Sequence, residues 1–397
     1  MNLKFVKIAD RYIGIPLCVG LLVFDTFKKI FGRHPKRTSE RKNILLIKFF
    51  GFGNLVLAIP AIKAIKQRYP GSRLTFLTVN ENRNVYENFD CVDQIIYLNV
   101  RSLSTFTAAF VRLIIKLRKE QFDCVIDLEQ FARVSTITSY LTGAVERVGF
   151  LIDRHIRRRL YTIRIRYNND QHVINTFYDT ALAVGCRKQE TLVPMKVPCS
   201  DDDRQALAGL LDENRVETSD ILVGAHVGSG PNFVLRRWPP NRFARVLDHL
   251  VEHYDVRIAL TGSPGETVLI LSSIGMMNED NRKNVFIANR LTIKQLALLI
   301  GRCSLFLCND TGPLHLASAM KTPSISFFGP NTPYVYGPLG DNNTVFYTNL
   351  ACSPCLSNFT EKTTSCKNPI CLENIDIKEV VIVIDHKYAK MLTRDTK

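Results

Sequence analysis

The chain has 397 residues, of which 46% are hydrophobic and 22% charged, so its composition excludes an intrinsically disordered protein and predicts two domains of ordinary size. Its formal net charge of +15 favours an anionic partner, such as a membrane surface or a phosphorylated glycan. Nucleic acid is not an expected partner, because the sequence has no RNA-binding or helix-turn-helix signature and its basic residues concentrate at one terminus.

Residues 1–42 form a basic and apolar segment, with ten Lys or Arg against three acidic residues. Its apolar run, residues 12–24, is shorter than the roughly 20 residues that span a bilayer. Lys28 and Lys29 follow it, where a signal peptide would have small residues at its cleavage site. We therefore predict that the segment lies on an anionic membrane surface. The alternative is a terminal helix packed on the protein's own surface.

Residues 43–196 are predicted to form the first domain. An apolar strand at 43–50 runs into a glycine-rich turn, Gly51-Phe52-Gly53-Asn54, and then into a helix at 55–69. Such a run is typical of a parallel strand buried on both faces. The remaining elements are strands at 74–79, 94–98 and 122–128 and a helix at 104–118. This alternation predicts an α/β domain with a doubly wound parallel sheet.

Residues 197–345 repeat the pattern after a Pro-rich linker and are predicted to form a second such domain. Its predicted strands lie at 221–226, 256–261, 305–308 and 324–328, and its helices at 241–253, 292–301 and 313–320. Open α/β sheets bind ligands at the carboxyl ends of their strands. We therefore expect the two domains to face each other across a ligand-binding cleft.

Residues 346–397 are predicted to be a cysteine-containing tail with a C-terminal helix. Seven of the eleven cysteines are scattered, which is typical of reduced thiols in the cytosol. The other four, spaced C-x2-C-x10-C-x4-C, are Cys352, Cys355, Cys366 and Cys371. Zinc is one alternative, but the second gap is loose and no His lies among them. We expect packing or a disulfide there, and no metal.

The most informative turn follows the strand at 305–308. It reads Asn309-Asp310-Thr311-Gly312 and leads at once into a helix, whose free amides and positive dipole end suit a diphosphate. Thr311 and Gly312 are expected to offer amides to phosphate and Asp310 to orient the turn or bind a hydroxyl, with His315 one turn further on. The alternative is ordinary capping, with Asp310 as the N-cap.

Two more strand ends of the second domain carry similar turns. One contains Gly228 and Ser229 and is followed by Arg236, and the other contains Gly262 and Glu266. Small residues let a ligand approach the backbone, and a guanidinium neutralises a leaving diphosphate. Three such turns at one sheet edge favour a nucleotide-diphosphate site over plain capping.

The segments AHVGSG, RRWP, LTGSPGE and CNDTGPLHLASA, together with LLIKFFGFGNLVLAIPAIKAIKQRYP, resemble glycosyltransferase family 9, the lipopolysaccharide heptosyltransferase family. The resemblance covers residues 43–345. It implies a GT-B fold, a nucleotide-sugar donor such as ADP-heptose in the second domain, and a lipid-linked glycan acceptor at the first. It also implies inverting transfer without a metal or other cofactor. We accordingly expect a cytoplasmic enzyme, peripheral on the inner face of the bacterial inner membrane.

Carried over by residue, the resemblance makes Arg236 a contact of the donor phosphates and Glu266 an acid near the donor nucleoside. The predicted donor-binding set is Gly228, Ser229, Arg236, Gly262, Glu266, Asp310, Thr311, Gly312 and His315.

The first domain departs from the family at Asn54, where similar proteins commonly have an Asp that is the presumed general base. An amide cannot accept a proton at neutral pH. Glu129 is the preferred substitute, and its alternative role is to cap a helix. Gly53, Asn54 and Asp127 are the predicted acceptor-binding residues. Alternatively, Asn54 only positions the acceptor, and catalysis rests on orientation and on stabilisation of the leaving group by Arg236.

Two other functions compete with the transferase. A catalytically silent relative would bind a nucleotide sugar or glycan without turning it over, and Asn54 motivates that alternative. A GT-B-like sugar epimerase would act on the donor alone and would need no membrane segment.

Overall fold

The computed structural model describes residues 8, 10–31, 41–82, 85–87, 89–98, 103–153, 155–230, 233–357 and 363–393. The chain divides into two compact units, Met1–Leu192 and Val193–Lys397, which we call the first and second domains. The predicted basic segment includes residues 1–7, 9 and 32–40, which lie outside the described residues.

The first domain is built on a six-stranded, fully parallel sheet with the order β3-β2-β1-β4-β5-β6. Its central strand is apolar and buried on both faces, as parallel sheets covered by helices require. The strands are β1 (Asn43–Ile47), β2 (Arg73–Val79), β3 (Gln94–Leu98), β4 (Cys124–Asp127), β5 (Glu146–Leu151) and β6 (Ile163–Arg166).

Helices cover this sheet, and the helix that follows β1 is buried along most of its length. The helices are α1 (Gly14–Phe31), α2 (Phe52–Arg68), α3 (Leu103–Lys119), α4 (Arg133–Leu141) and α5 (Val173–Ala183), with short 3-10 turns at Asn80–Asn82 and Ile156–Leu160. α1 packs against α4 and the turn at Ile156–Leu160. In the described part of the chain, none of the helices is both long and apolar enough to cross a membrane.

The second domain repeats the design with a parallel sheet of order β12-β11-β10-β7-β8-β9. Its core centres on Trp238, which is fully buried and stacks on Phe327 with ring centroids 4.0 Å apart. The strands are β7 (Leu222–His226), β8 (Arg257–Thr261), β9 (Val285–Ala288), β10 (Leu305–Asn309), β11 (Ser324–Phe328) and β12 (Asn343–Tyr347).

The C-terminal tail belongs to the core of the second domain. Leu372, Ile384, Tyr388 and Leu392 are fully buried in the same cluster as Trp238. The helices of this domain are α6 (Asp201–Glu213), α7 (Pro240–Tyr254), α8 (Thr267–Gly275), α9 (Ile293–Arg302), α10 (Gly312–Met320), α11 (Pro333–Tyr336), α12 (Ile370–Glu373), α13 (Ile377–Val383) and α14 (Ala389–Leu392), with 3-10 turns at Val234–Arg236, Pro264–Glu266 and Glu279–Asn284 and a π-helical turn at Ile384–Tyr388.

Both sheets have the strand order of a Rossmann fold, so the prediction of two doubly wound α/β domains is confirmed. The direction of winding reverses between β1 and β4 in the first domain and between β7 and β10 in the second. Ligands of such sheets bind beyond the carboxyl ends of the two strands at this reversal. We call these two places the first and second switch points.

Candidate functional site

The second switch point is organised by Asn309, the last residue of β10. Its fully buried amide accepts a hydrogen bond from the Trp238 backbone N–H at 2.8 Å. Its Nδ2 donates to the carbonyls of Val227 and Gly228, both at 3.0 Å. One side chain thus fixes the loop after β7 and the loop that carries Arg236. Asn309 was not among the predicted site residues, although a polar residue ending a buried strand was a usable signal.

An ion pair lies beside Asn309. Arg236 Nη1 donates to Asp310 Oδ2 at 2.9 Å, and the two side chains are only 12% and 5% exposed. Asn331 Nδ2 donates to the same oxygen at 2.9 Å, and the guanidinium stacks over Phe233 with its carbon 3.9 Å from the ring centroid. Arg236 Nε is buried and has no hydrogen-bond partner in the described part of the chain. A buried N–H of a cation without an acceptor is suited to an anionic ligand.

The helix after this pair begins one residue later than the capping alternative predicts. Thr311, not Asp310, is the N-cap of α10, and Gly312 and Pro313 open its first turn. Within the described chain, the Thr311 side chain makes no capping hydrogen bond. The dipole of α10 therefore starts beside the Arg236–Asp310 pair and adds positive potential there. His315 lies in the first turns of α10 and is buried.

Glu266 holds together the two glycine turns of the second domain. One carboxylate oxygen accepts from the backbone N–H groups of Ser229 (3.1 Å) and Gly230 (2.9 Å), and the other from the Ser263 N–H (2.9 Å) and hydroxyl (2.8 Å). Burial alone would raise the pKa of Glu266, but the hydrogen bonds from Ser263 and Gly230 and the nearby His226 lower it overall. The carboxylate therefore stays ionised while it ties the turns together.

The two predicted glycines of these turns fit closely around neighbouring side chains. A Cβ at Gly228 would lie 2.0 Å from Glu266 Oε1, and one at Gly262 would lie 2.8 Å from Ile270 Cδ1. The space over Gly228 thus belongs to the Glu266 carboxylate. Ser229 Oγ donates to the Phe233 carbonyl at 2.7 Å. The predicted contacts of these residues with a donor stay predictions.

The first switch point contains a buried ion pair between Lys48 and Glu129, 2.9 Å apart, with side chains 2% and 7% exposed. Glu129 Oε1 also accepts from the backbone N–H groups of Phe49 (2.7 Å) and Phe50 (2.8 Å), and Lys48 Nζ donates to the Phe50 carbonyl at 2.8 Å. Glu129 therefore anchors the chain between β1 and the glycine-rich turn. The alternative of a helix cap does not describe these contacts, and the role of general base stays a prediction.

Asp127 lies deeper than predicted, with no exposed surface. Its Oδ2 accepts from Ser135 Oγ (2.7 Å) and Tyr161 Oη (2.5 Å), its Oδ1 accepts from the Glu129 N–H (2.9 Å), and the buried Arg157 is 4.0 Å away. Burial raises the pKa of Asp127 to about 6 against the opposing charge of Arg157. Binding of an acceptor by Asp127 stays a prediction that requires this network to open.

Asn54 lies in the first turn of α2 and is partly exposed, whereas Gly53 is buried. Gly51 is the N-cap, and its φ of +81° is a conformation that glycine adopts without strain. A Cβ at Gly51 would lie 3.2 Å from Asn54 Nδ2, so the amide lies over the glycine. The structure thus places Asn54 at the helix start of the first switch point, without a carboxylate in that turn.

The cysteine cluster of the tail forms no disulfide, because all eleven thiols are free within the described chain. Cys371 is buried, and a Cβ at Gly329 would lie 2.7 Å from its Sγ. Burial raises the pKa of Cys371 to about 11, and the neighbouring thiols of Cys355, Cys352 and Cys366 act in the same direction. Among the described residues, no cluster of His, Cys, Asp or Glu is arranged to hold a metal ion.

The sequence matches a family model described as glycosyltransferase family 9 (heptosyltransferase) over residues 110–365. Lipooligosaccharide heptosyltransferase 2 of Campylobacter jejuni is 25% identical over 332 residues, which cover 83% of this chain and 93% of the relative.

Two solved structures share the fold. The glycosyltransferase family 9 protein of Veillonella parvula superposes with a TM-score of 0.73 at 19% identity, covering 88% of this chain and 98% of the other. The E. coli ADP-heptose lipopolysaccharide heptosyltransferase II gives a TM-score of 0.70 at 17% identity, covering 88% and 99%. The prediction of a GT-B fold is confirmed.

Proposed function

The chain belongs to glycosyltransferase family 9 and is a glycosyltransferase, and we propose that it moves a heptose from ADP-heptose to a lipid-linked glycan such as a lipopolysaccharide core. The observation that carries the donor half of this proposal is the Arg236–Asp310 pair at the second switch point. A buried guanidinium N–H, which has no acceptor among the residues that the structure describes, lies in this pair next to the start of α10, and both features suit a diphosphate. The name of the E. coli structure supports the choice of ADP-heptose, and that of the Campylobacter relative supports a lipooligosaccharide acceptor.

In the proposed reaction, an acceptor hydroxyl attacks the anomeric carbon of the heptose and the bond from that carbon to the diphosphate oxygen breaks. The electron pair leaves with ADP, and because the hydroxyl attacks from the face opposite the leaving diphosphate, the configuration at the anomeric carbon inverts. Arg236 and the amides of α10 neutralise the charge that develops on the leaving diphosphate, a role that proteins fill without a metal. Asp310 holds the guanidinium in place for this task.

The hydroxyl proton must pass to a base as the new bond forms. Glu129 is our proposed base, although its Oε1 already accepts from Lys48 and two backbone amides. Because these hydrogen bonds occupy Glu129, and because residue 54 is Asn, the second candidate function is binding of a nucleotide sugar or glycan without catalysis. We further propose that the enzyme works in the cytoplasm, at the inner face of the inner membrane.

The test combines calorimetry with a transfer assay. We expect ADP to bind more tightly than UDP or GDP, and ADP-heptose to be consumed only when a heptose-accepting lipopolysaccharide precursor is present. Addition of EDTA should leave the rate unchanged. ADP binding without transfer would establish the silent relative, and consumption of the donor without an acceptor would favour a donor-only reaction. Absence of ADP binding would refute the donor assignment.

A further inference from the structure

The helix α1 exposes most of its large apolar side chains. An ordinary surface helix instead buries its apolar stripe against the core. Gly14, Cys18 and Asp25 are buried against the protein, and Leu21 and Leu22 pack partly buried beside Cys18. The residues that face away are large and apolar, with 49–81% of their surface exposed. They are Leu17, Val23, Phe24, Phe27, Ile30 and Phe31, and the exposed Tyr12 and Ile13 precede the helix. Contiguous apolar patches of this kind mark an interaction site.

The N-terminal end of this arrangement is fixed by specific contacts. Asp10 accepts from the backbone N–H groups of Arg133 and Val134 at 2.9 Å each, and so caps α4 from another part of the chain. The Arg133 guanidinium also donates to Asp10, at 3.1 Å. At Gly14 the helix comes so close that a Cβ would lie 2.9 Å from the Cβ of Arg133. The apolar face therefore cannot rotate inward without breaking these contacts.

The C-terminal half is fixed as well. Asp25 accepts from Tyr140 Oη at 3.2 Å and pairs with Lys29 at 2.7 Å. Cys18 is fully buried in a cluster with Ile137 and Leu160. From Gly14 to Asp25 the docked length of α1 is about 17 Å at 1.5 Å per residue. One side of α1 thus packs on the rest of the first domain as far as Asp25, and the opposite side is left apolar.

The surroundings of the apolar face are basic. Lys28 and Lys29 are exposed in the last turn of α1. The neighbouring helix α3 sends Phe110 into the same cluster as Cys18. Next to it, α3 exposes Val111 and Ile115, each 52%, and its exposed basic residues are Arg112, Lys116, Arg118 and Lys119. Two copies of so basic a face would repel each other, whereas an anionic lipid surface complements both the charge and the apolar side chains.

We propose that α1 and α3 form a docking surface for an anionic bilayer, with α1 lying in the plane of the membrane and its aromatic side chains in the headgroup boundary. Interfacial helices bind by this combination of apolar burial and attraction to anionic lipid. The docking surface belongs to the first domain and does not depend on the transfer reaction. Its test therefore stands apart from that of the proposed function.

The main test is flotation of the full chain with vesicles of phosphatidylcholine and phosphatidylglycerol, with pure phosphatidylcholine as reference. The triple variant Phe24→Glu/Phe27→Glu/Phe31→Glu should lower partitioning at least about tenfold, because it removes three apolar side chains and adds three negative charges next to anionic lipid. The matched control adds the same charge to exposed apolar positions of the second domain. This control is Val268→Glu/Leu271→Glu/Met276→Glu, at residues that are 80%, 53% and 51% exposed. The decrease in its partitioning should be smaller than that of the α1 variant by about a factor of ten.

The second measurement is the fluorescence of a tryptophan introduced into the docking surface. The chain has a single tryptophan, Trp238, which is fully buried in the second domain and provides a constant background. The emission of Phe24→Trp should shift to the blue on anionic vesicles, and that of Val268→Trp should not. Salt should weaken the binding of the wild type, since it screens attraction to the lipid charge.

Three outcomes would overturn the proposal. The first is partitioning that the triple variant does not change while its melting temperature matches that of the wild type. The second is a blue shift of Phe24→Trp that grows with protein concentration without vesicles, alongside a dimer in light scattering, which would assign the face to a second copy of the chain. The third is equal binding to pure phosphatidylcholine. Transfer to a water-soluble acceptor fragment should persist in the triple variant, so a failed transferase assay would not be confused with failed docking.

Discussion

The two switch points share one topology but use their charged residues differently. At the second, Arg236 keeps a buried N–H without an acceptor in the described chain, next to the start of a helix. At the first, Glu129 and Asp127 are both engaged by internal donors. The second switch point therefore presents positive electrostatic potential to a ligand. The carboxylates of the first switch point are instead used in hydrogen bonds within the first domain. Charged residues at equivalent positions of two related domains thus need not be equally available to bind a ligand.

The largest effect that would test this contrast concerns the buried pair of the first switch point. Lys48→Met leaves the Glu129 carboxylate buried without its counter-charge, and removal of one partner of a buried pair costs about 3–5 kcal/mol. We expect the free energy of unfolding of the first domain to fall by that amount, measured by urea unfolding with circular dichroism. Trp238 fluorescence reports the second domain in the same experiment.

The matched control is Lys66→Met, which breaks the more exposed pair with Asp93 and should cost less than about 1 kcal/mol. If Lys48→Met costs no more than this control, Glu129 is not held by the pair. It would then be free to act as the base, and the contrast between the two switch points would disappear.

The next effect concerns the second switch point. Arg236→Ala removes the cation next to the proposed leaving diphosphate, and loss of one donor to a developing negative charge costs about 10²–10³-fold in rate. We expect kcat/KM for ADP-heptose to fall by that factor. Arg245→Ala, on the exposed side of α7, is the control and should leave kcat/KM unchanged. Equal activity of the two variants would remove Arg236 from the donor site.

The sequence was sufficient to predict the domain type and most central elements. The strands Gln94–Leu98 and Ser324–Phe328 begin and end where expected, because a short run of apolar residues indicates a strand of a parallel sheet. The edge strands Ile163–Arg166 and Asn343–Tyr347 were missed, because their alternating or partly polar residues lack such a run. Apolar runs thus identify most strands, including the edge strand Gln94–Leu98, but not the interior strand Glu146–Leu151, which begins with two charged residues.

The sequence was sufficient to predict the turns that form the candidate site. It did not predict which side chains contact each other there. The motif around Asp310 indicated the helix start, since a strand that ends in small polar residues before a helix leaves amides unpaired. The partners Asn331 and Lys48 lie in other segments, and only the fold brings them to Asp310 and Glu129. The depth of Asp127 was likewise hidden, because a carboxylate at a strand end looks the same in sequence whether it faces solvent or the core.

A third prediction uses the pH dependence of Asp127. Its pKa is raised from 3.8 to about 6 by burial, so the folded protein holds this proton more tightly than the unfolded chain. The contribution to stability is present below about pH 4 and is lost as the pH rises to 6, by about 3 kcal/mol at 1.36 kcal/mol per unit. Asp127→Asn should remove this decline, measured by urea unfolding from pH 4 to 7.

Asp93→Asn is the comparison variant, because the contribution of Asp93 to stability changes with pH in the opposite direction. Burial alone would raise the pKa of Asp93, but hydrogen bonds from the Leu74 amide and Lys66 lower it overall. Its contribution to stability is therefore present above the unfolded pKa and lost as the pH falls. Equal slopes of stability against pH in both variants would show that burial does not raise the pKa of Asp127, and would weaken the view of the first switch point as a closed network.

The smallest effect concerns Asn54, where the first switch point has no acid in the opening turn of α2. Asn54→Asp places a carboxylate at the positive end of the helix dipole, which is typically worth about 0.3–1 kcal/mol. We expect the free energy of unfolding to rise by that amount. Gln67→Glu adds the same charge in the exposed last turn, where the dipole opposes it, and should give no gain. In the transfer assay, Asn54→Asp should add a second ionisation to the acid limb of the pH profile of kcat/KM, because only an ionised carboxylate takes the acceptor proton. A gain in stability with an unchanged profile would mean that residue 54 does not reach the acceptor hydroxyl, and the base would have to be sought elsewhere than at the start of α2.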